Sequence, residues 1–300
     1  MGKWLKRIGL ALGGILGLLV VIFIGLAIYA NAQFKPTYDD RPLYPITADT
    51  SPEGLARGTY LMEEAMLCAE ACHSMEAPFT GGAERIDEGP ISGVFAPPNL
   101  TPHEATGLGS WADAEIARAL REGVDKDGVG LIIMPSYNYR ALSDDDVAAV
   151  VGYLRNLEPV ENEVPPVSFN LPAKILNAVG AFGPSPVGDP ITERQETPEQ
   201  GTVANGEYMV KLGACSDCHQ ANLAGGPLPF SGPDDVQAAN LTPAGEIPSW
   251  TVEQFIAAVS QGQHPSGTTL DEGMPRYGTS EADLADIYAY LLTLDPIESE

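Results

Sequence analysis

The longest apolar stretch of the chain lies near its N-terminus. No charged residue occurs at positions 8–30, a run of 23 residues. As an α-helix this run extends roughly 34 Å, enough to cross the ~30 Å apolar core of a bilayer. Lys3, Lys6 and Arg7 precede the run, and positive charge marks the cytoplasmic side of a membrane helix. We therefore expect residues 1–30 to form a single-pass anchor in the inner membrane, with the remaining chain on the periplasmic side.

A cleaved signal peptide is the alternative for the same segment. Ala30-Asn31-Ala32 resembles a cleavage site. The apolar run is longer than the roughly 7–15 residues of a typical signal-peptide core. Its length therefore favours an uncut anchor.

Beyond the anchor, apolar residues recur with helical spacing between good capping residues. Two predicted helices each begin after a serine and end before a glycine. They are residues 111–122, between Ser110 and Gly123, and residues 250–261, between Ser249 and Gly262. Ser143 and Ser280 are each followed by acidic residues and predict the starts of two more helices. No run alternates with a period of two, so the pattern predicts an all-α protein without a sheet.

Two polar segments that contain proline divide the chain. Residues 31–52 indicate a tether between the anchor and the first folded unit. Residues 161–200 indicate an interdomain linker, which a short apolar patch at 175–182 interrupts. We interpret the linker as an ordered segment folded over the surface of its neighbour. The folded units that remain are residues 53–160 and 201–300.

These two units repeat one another in sequence. The first repeat, residues 53–160, contains in order Gly58-x-Tyr60, Cys68, Cys72-His73, Asn99-Leu-Thr-Pro, Trp111, Gly123, Met134-Pro135-x-Tyr137, Ser143 and Pro159. The second repeat, residues 201–300, contains Gly206-x-Tyr208, Cys215, Cys218-His219, Asn240-Leu-Thr-Pro, Trp250, Gly262, Met274-Pro275-x-Tyr277, Ser280 and Pro296. So many rare residues in one order predict two tandem copies of one domain.

Cys215-Ser-Asp-Cys218-His219 is a C-x-x-C-H sequence, the attachment pattern of a c-type haem. Two thiols three positions apart project from one side of a helix, where each can bond a haem vinyl group. The adjacent His219 can then ligate the iron. A C-x-x-C pair also fits a redox disulfide or half of a zinc site. Zinc needs further ligands, and a disulfide would leave His219 and the repeat unexplained.

The matching segment of the first repeat, Cys68-Ala-Glu-Ala-Cys72-His73, has three residues between its thiols. Positions i and i+4 still share a helix face, so both thiols can reach one haem edge. Its place in the repeat predicts a second covalently attached haem c, with His73 as the iron ligand. A structural disulfide is the alternative.

The sixth iron ligand is expected from a methionine late in each repeat. Met134 and Met274 are each followed by proline and precede the last helix. Histidine and methionine together give an iron site of raised potential, whereas a lone methionine is more often core filler. The competing methionines, expected on the wrong side of the ring, are Met62, Met66, Met75 and Met209.

Other polar and aromatic residues leave alternatives open. His103 and His264 have no partner in the repeat, so we expect them in surface loops. The repeated aromatic residues either wall the cofactor pockets or form helix contacts: Trp111, Trp250, Tyr60, Tyr208, Tyr137 and Tyr277.

Both repeats resemble the cytochrome c domains of the multihaem electron-transfer subunits of membrane-bound alcohol and gluconate dehydrogenases. The similar strings are Asn99-Leu-Thr-Pro-His-Glu-Ala-Thr-Gly, Met134-Pro-Ser-Tyr and Leu142-Ser-Asp-Asp-Asp-Val-Ala-Ala-Val-Val-Gly-Tyr-Leu. The resemblance spans about residues 54–160 and 201–297. It implies the all-α cytochrome c fold with loop-rich haem pockets, one iron held by His73 and Met134, and the other by His219 and Met274.

The resemblance also implies an electron carrier rather than an enzyme. Those subunits usually carry three haem domains, whereas this chain has two repeats and an expected anchor. We therefore predict a dihaem carrier between a membrane respiratory or photosynthetic donor and an acceptor such as a terminal oxidase or reaction centre. The alternative is an electron-transfer subunit of a periplasmic dehydrogenase. A haem enzyme such as a peroxidase would need an open iron position, which two methionine ligands disfavour.

Charge narrows the class of partners. The chain has 16 Lys and Arg against 41 Asp and Glu, a formal net charge of -25. Such a surface repels nucleic acid and favours basic partners, although adaptation to a salty environment would produce the same excess.

Overall fold

The computed structural model describes residues 2–74, 77–182, 186–228 and 236–299. Its α-helices are α1 Gly2–Ala32, α2 Pro52–Thr59, α3 Asp113–Glu122, α4 Ser136–Tyr139, α5 Asp144–Asn156, α6 Leu171–Ala178, α7 Val203–Leu212, α8 Cys215–His219, α9 Val252–Gln261 and α10 Glu281–Leu291. Two π-helices, Tyr60–Ala65 and Ala69–His73, and a 3₁₀ helix, Ile247–Ser249, complete the helical elements of these residues. The strands are β1 Glu84–Glu88, β2 Ile91–Phe95, β3 Ser168–Phe169, β4 Gly226–Pro227 and β5 Gln237–Ala238.

Helix α1 stands apart from the rest of the fold over most of its length. The part from Lys6 to Ala32 is long and apolar enough to cross a membrane, and its apolar window is not buried against the protein. These properties fit a membrane anchor, and a signal sequence has the same ones.

The predicted caps of the last helix in each repeat are confirmed. The Ser143 hydroxyl accepts from the amide of Asp146, and the Ser280 hydroxyl accepts from the amide of Asp283, both at 3.1 Å. Gly123 and Gly262 end α3 and α9 with left-handed φ values of 68° and 69°. That conformation ends a helix most readily at glycine.

The predicted starts of α3 and α9 were wrong by two residues. The residues that cap these helices are Ala112 and Thr251, not Ser110 and Ser249. In α9, the Thr251 hydroxyl accepts from the amide of Gln254, whose side chain accepts from the amide of Thr251. This reciprocal capping box satisfies two helix-end donors, so it outcompetes the earlier serine.

The expectation of a purely helical protein without a sheet is corrected by a small three-stranded sheet. β1 and β2 form an antiparallel hairpin, and β3 adds to β2 from the 161–200 segment. A Cβ on Gly93 would lie 2.2 Å from the carbonyl oxygen of Ser168, so glycine permits this close pairing. The strands are short and only partly buried, which explains why no clear alternation revealed them.

Glycines permit the close helix crossing in each repeat. A Cβ on Gly58 would lie 2.3 Å from the carbonyl oxygen of Ala149, where α2 crosses α5. A Cβ on Gly206 would lie 2.0 Å from the carbonyl oxygen of Asp286, where α7 crosses α10. The repeated glycines therefore set the distance between the first and last helices of both repeats.

The two repeats share one continuous apolar core, and two tyrosines cross between them. The Tyr60 hydroxyl donates to Asp283, and the Tyr208 hydroxyl donates to Asp146, each at 2.5 Å. Each hydroxyl also accepts from the amide of the serine that caps the same helix, at 3.2 and 3.1 Å respectively. The contacts are reciprocal, so each repeat binds the start of the other's last helix.

The 31–52 and 161–200 segments lie along the first repeat. Buried Glu122 accepts from the Arg41 guanidinium at 3.2 Å and from the amide of Ile191 at 3.0 Å. One carboxylate therefore holds both segments. Residues 31–52 are a docked strap rather than a free tether, because Tyr38 also donates its amide to the Gly128 carbonyl.

A second apolar cluster joins the end of α1 to the first repeat. Phe34, Phe169 and Ala173 are its buried members. Lys174, on α6, donates to the Asn31 side chain at 2.7 Å and lies over the Phe34 ring. These contacts hold the end of α1 in a defined place beside the first repeat.

We predict that Asp283 makes the stability of the paired repeats depend on pH. Burial raises the pKa of this carboxyl, but hydrogen bonds from Tyr60, Gln200, Asn205 and Ser280 outweigh it and leave the pKa below 3.8. A lowered pKa stabilises the fold above the ordinary pKa of an aspartate, and this contribution disappears as pH falls through the lowered value.

Asp283→Asn should lower the free energy of unfolding near pH 7 by about 1.5–3 kcal/mol, the usual contribution of hydrogen bonds to a charged group. The difference from wild type should shrink as denaturation is repeated at decreasing pH. Glu281→Gln, on the exposed face of the same helix, is the control. A difference that stays constant down to pH 2 would contradict the prediction.

Candidate haem sites

The C-x-x-C-H sequence of the second repeat forms the short helix α8. Ala214 precedes it with a left-handed φ of 52°, which turns the chain sharply from α7 into α8. Cys215, Cys218 and His219 all line one cavity of about 420 Å³. The local sequence therefore brings both thiols and the imidazole to a single cavity.

The first repeat accommodates its extra residue by a change of helix type. Leu67 takes the same left-handed turn, with a φ of 49°, but the following Ala69–His73 segment is a π-helix. A π-helix has more residues per turn than an α-helix and occurs often at functional sites. A pair at i and i+4 is therefore separated in angle much like a pair at i and i+3 of an α-helix. Cys68, Cys72 and His73 consequently line one cavity too, of about 380 Å³.

Each histidine is held by the nitrogen that faces the backbone. The Nδ1 atom of His219 lies 2.7 Å from the Ala239 carbonyl, and that of His73 lies 3.1 Å from the Pro98 carbonyl. A carbonyl can only accept, so Nδ1 carries the proton and Nε2 is left with its lone pair. A backbone bond of this kind is how metal-ligating histidines are usually oriented.

Burial keeps both histidines neutral. It lowers the pKa of His73 to about 4, which the Pro98 carbonyl opposes only in part. It also lowers the pKa of His219, against the effect of the Ala239 carbonyl. A neutral imidazole is the form that binds a metal.

Cys68 is buried, and Cys215 is partly exposed. Burial raises the pKa of Cys68 and of Cys215 to about 12. The four cysteines are unpaired in the structure. Within the described residues, no group of three or more His, Cys, Asp and Glu is placed to hold a metal ion, so the zinc alternative has no ligand set there.

The predicted methionines lie in the same cavities. Met274 lines the cavity of the second repeat, and Met134 lines that of the first. Two of the competing methionines, Met209 and Met62, line the cavities too, from the helices that precede the cysteines. Met66 is buried in the core, and Met75 lies outside the described residues.

The remaining walls of the cavities are mostly apolar. Trp250 and Tyr277 line the second cavity, and Trp111 lines the first. Tyr60 and Tyr208 do not belong to the walls, since they bind the opposite repeat. The repeated aromatic residues therefore divide between pocket and interface.

His264 lies in a partly exposed loop, as expected, but its position in the cavity wall was not expected. It lines the second cavity, where its ring packs edge-on against Trp250 with a centroid distance of 5.2 Å. Its Nε2 atom lies 2.9 Å from Glu246. Asp125 lies at the matching position and lines the first cavity. Both residues follow the glycine that ends the preceding helix by two positions, and this shared position could have indicated that His264 lines a cavity. His103 instead bonds the nearby Thr106 in its own loop.

The Asn-Leu-Thr-Pro motif closes the chain behind each cavity. The Asn99 side chain donates to the Val160 carbonyl at 2.8 Å, and the Asn240 side chain donates to the Ile297 carbonyl at 2.7 Å. In both repeats the asparagine oxygen also accepts from the amide of the motif's threonine. The motif therefore ties the segment after the cysteines to the end of its repeat.

Comparison with known proteins gives a match over the second repeat. The cytochrome c family profile matches residues 203–295, which include α8 and Met274. This part of the chain is similar to a cytochrome c domain. A domain of this family implies covalently bound haem c and an electron-transfer role.

The curated relatives are named as cytochromes. The gluconate 2-dehydrogenase cytochrome c subunit of Pantoea cypripedii is 33% identical over 179 residues, covering 54% of this chain and 37% of the relative. The alcohol dehydrogenase (quinone) cytochrome c subunit of Gluconobacter oxydans is 28% identical over 257 residues, covering 79% and 50%. The diheme cytochrome c-type of Cereibacter sphaeroides is 28% identical over 229 residues, covering 69% and 73%.

These matches confirm the resemblance inferred from the sequence motifs. The chain spans between about a third and about half of the length of the dehydrogenase subunits that it matches. The activities and partners of those complete subunits are therefore not assigned to this chain.

Proposed function

We propose that the chain is a dihaem c-type cytochrome that carries electrons at the periplasmic face of the inner membrane. The observation that carries this proposal is the pair of cavities. Each is lined by two cysteines, a histidine whose Nδ1 is bonded to a backbone carbonyl, and two methionines, one of which is the repeated Met134 or Met274.

The protein residues fit haem c at both sites. Cys68 and Cys72 would form the thioether bonds of the first haem, with His73 and Met134 as iron ligands. In the second repeat the corresponding residues are Cys215, Cys218, His219 and Met274. A bound haem supplies reversible one-electron chemistry at its iron. The chain would hold the imidazole in one tautomer, surround the haem with largely apolar side chains, and supply a methionine thioether as the second iron ligand.

The first repeat is proposed as a second cytochrome c domain. Support comes from features that it shares with the matched second repeat: the left-handed residue before the first cysteine, the histidine bonded to a carbonyl, and the asparagine that ties the chain behind the cavity. The relative from Cereibacter sphaeroides, which is named a diheme cytochrome, also supports two haems.

The first site is proposed to lie nearer the membrane. Helix α1 ends at Ala32, and Lys35, three residues later, already lines the first cavity. The cluster around Phe34 leaves little freedom between them. If α1 is an uncut anchor with its basic end in the cytoplasm, both cavities face the periplasm and the first is beside the bilayer.

The partners are proposed to be membrane-embedded redox complexes, with an acceptor such as a terminal oxidase or reaction centre. The excess of 41 acidic over 16 basic residues would favour basic partner surfaces. The chain itself is proposed not to be an enzyme, because each iron would have a protein ligand on both sides.

The first test is a haem count on the purified full-length chain by pyridine haemochrome assay. We expect two c-type haems per chain. The double variant Cys68→Ser with Cys72→Ser should retain one, and so should Cys215→Ser with Cys218→Ser. Asp145→Asn, at an exposed position, serves as the control and should retain both. One haem in the wild type would leave only the second repeat as a haem domain, and none would overturn the proposal.

The ligand assignment is tested by comparing two methionines of one cavity. Met274→Leu should lower the potential of one haem by on the order of 0.1 V or more, since axial ligands set haem potentials over roughly 0.8 V. Met209→Leu, in the same cavity, should leave both potentials nearly unchanged. Redox titration followed by absorbance measures both. The reverse pattern would make Met209 the ligand.

A second candidate function is an electron-transfer subunit of a dehydrogenase complex. The names of the gluconate and alcohol dehydrogenase relatives favour it. Tagged full-length chain, purified from its native membrane in mild detergent, should carry an oxidase or similar acceptor complex under the first proposal. Stoichiometric recovery of a dehydrogenase catalytic subunit instead would establish the second.

A further inference from the structure

The short helix α4 links the two sites across the boundary between the repeats. It begins two residues after Met134. From α4, the Tyr137 hydroxyl donates to Asp217 at 3.0 Å, and the Asn138 side-chain amide donates to both carboxylate oxygens of Asp217 at 3.0 and 3.1 Å. Asp217 lies between Cys215 and Cys218. The methionine loop of the first site is therefore hydrogen-bonded to the attachment segment of the second.

The next residue of α4 reaches the attachment segment of its own repeat. The Tyr139 side chain is 5% exposed and packs in the same apolar core as Cys68. Asn138 is equally buried. Of these two adjacent buried side chains, one binds Asp217 of the second repeat and the other packs into the core that contains Cys68.

The second repeat does not mirror this arrangement. Tyr277, which matches Tyr137, donates to the Gly213 carbonyl within its own repeat at 2.7 Å. The positions that match Asn138 and Tyr139 are Gly278 and Thr279. A Cβ on Gly278 would overlap the Glu64 carboxylate, so the first repeat occupies that space. The contacts of Tyr60 with Asp283 and of Tyr208 with Asp146 are reciprocal between the repeats. The contact of α4 with Asp217 has no counterpart in the second repeat.

We propose that α4 is the main electron path between the two sites, with the bonds from Tyr137 and Asn138 to Asp217 as its contact across the repeat boundary. This inference rests on the proposed function, because it needs a haem at both sites. The side chains of α4 would act as positioning and coupling groups and would ligate neither iron.

Tunnelling physics supports this path. Electronic coupling decays less steeply along covalent bonds and hydrogen bonds than across a gap between unbonded atoms. From Met134 the route follows the backbone to Asn138 and crosses one hydrogen bond to Asp217, which is bonded directly to Cys218. One electron would leave the reduced haem at one site and enter the oxidised haem at the other, with no bond formed or broken.

The competing explanation is that α4 merely holds the repeats together. The crossing contact of Tyr60 with Asp283 allows the two roles to be separated, because it lies at the same interface and does not touch either attachment segment. A clamp role predicts similar effects from breaking either contact. A coupling role predicts an effect on transfer only from breaking the contact with Asp217.

The test uses the full-length chain with haems counted first, so that a missing haem is recognised as failure of the proposed function. The double variant Tyr137→Phe with Asn138→Ala removes all three bonds to Asp217. Tyr60→Phe is the interface control. Flash-induced reduction of one haem, followed by absorbance as the electron equilibrates with the other, measures the internal transfer rate. Redox titration corrects each rate for driving force.

We expect the double variant to slow internal transfer several-fold at equal driving force. The absorbance of methionine ligation should be retained, and Tyr60→Phe should leave the rate unchanged. Asp217→Asn, which keeps one acceptor oxygen, should fall between wild type and the double variant and remains informative if the double variant folds poorly. An unchanged rate in the double variant, or equal slowing in Tyr60→Phe, would overturn the proposal.

Discussion

Each repeat must hold a largely apolar cavity open beside a closely crossed pair of helices, and the remaining structure follows from that constraint. The first and last helices cross closely at Gly58 and Gly206, and the asparagines of the repeated motif close the chain behind. The cofactor proposed for each repeat would occupy this cavity and contact its apolar walls.

The pairing of the repeats depends on charged groups that are buried and hydrogen-bonded. Tyr60 and Tyr208 each reach into the other repeat. Each hydroxyl donates to a carboxylate at the start of the last helix of that repeat. A carboxylate there is also favoured by the positive end of the helix dipole. In a chain as acidic as this one, such bonds place carboxylates at an interface without leaving a buried charge unpaired.

The two repeats are alike in their sites but differ in their surroundings. The first is wrapped by the 31–52 and 161–200 segments, which meet at Glu122, and it adjoins the end of α1. The second has its cavity bordered by His264, where the first has Asp125. Helix α4 adds a one-sided contact between them. Two sites built on one plan therefore have different electrostatic and spatial surroundings, as an ordered transfer of electrons between them would require.

The sequence by itself determined what depends on local chemistry: the apolar α1 helix, the caps at Ser143 and Ser280, and the cysteine, histidine and methionine positions that the cavities bring together. Tertiary structure decided the rest. The π-helical turn that fits Cys72, the added strand β3, and the place of His264 all depend on groups far apart in the chain. So do the contacts of Tyr60 with Asp283 and of Asn138 with Asp217, which are separated by 223 and 79 positions. Spacing along a chain predicts which residues share a turn, whereas only packing determines which turns meet.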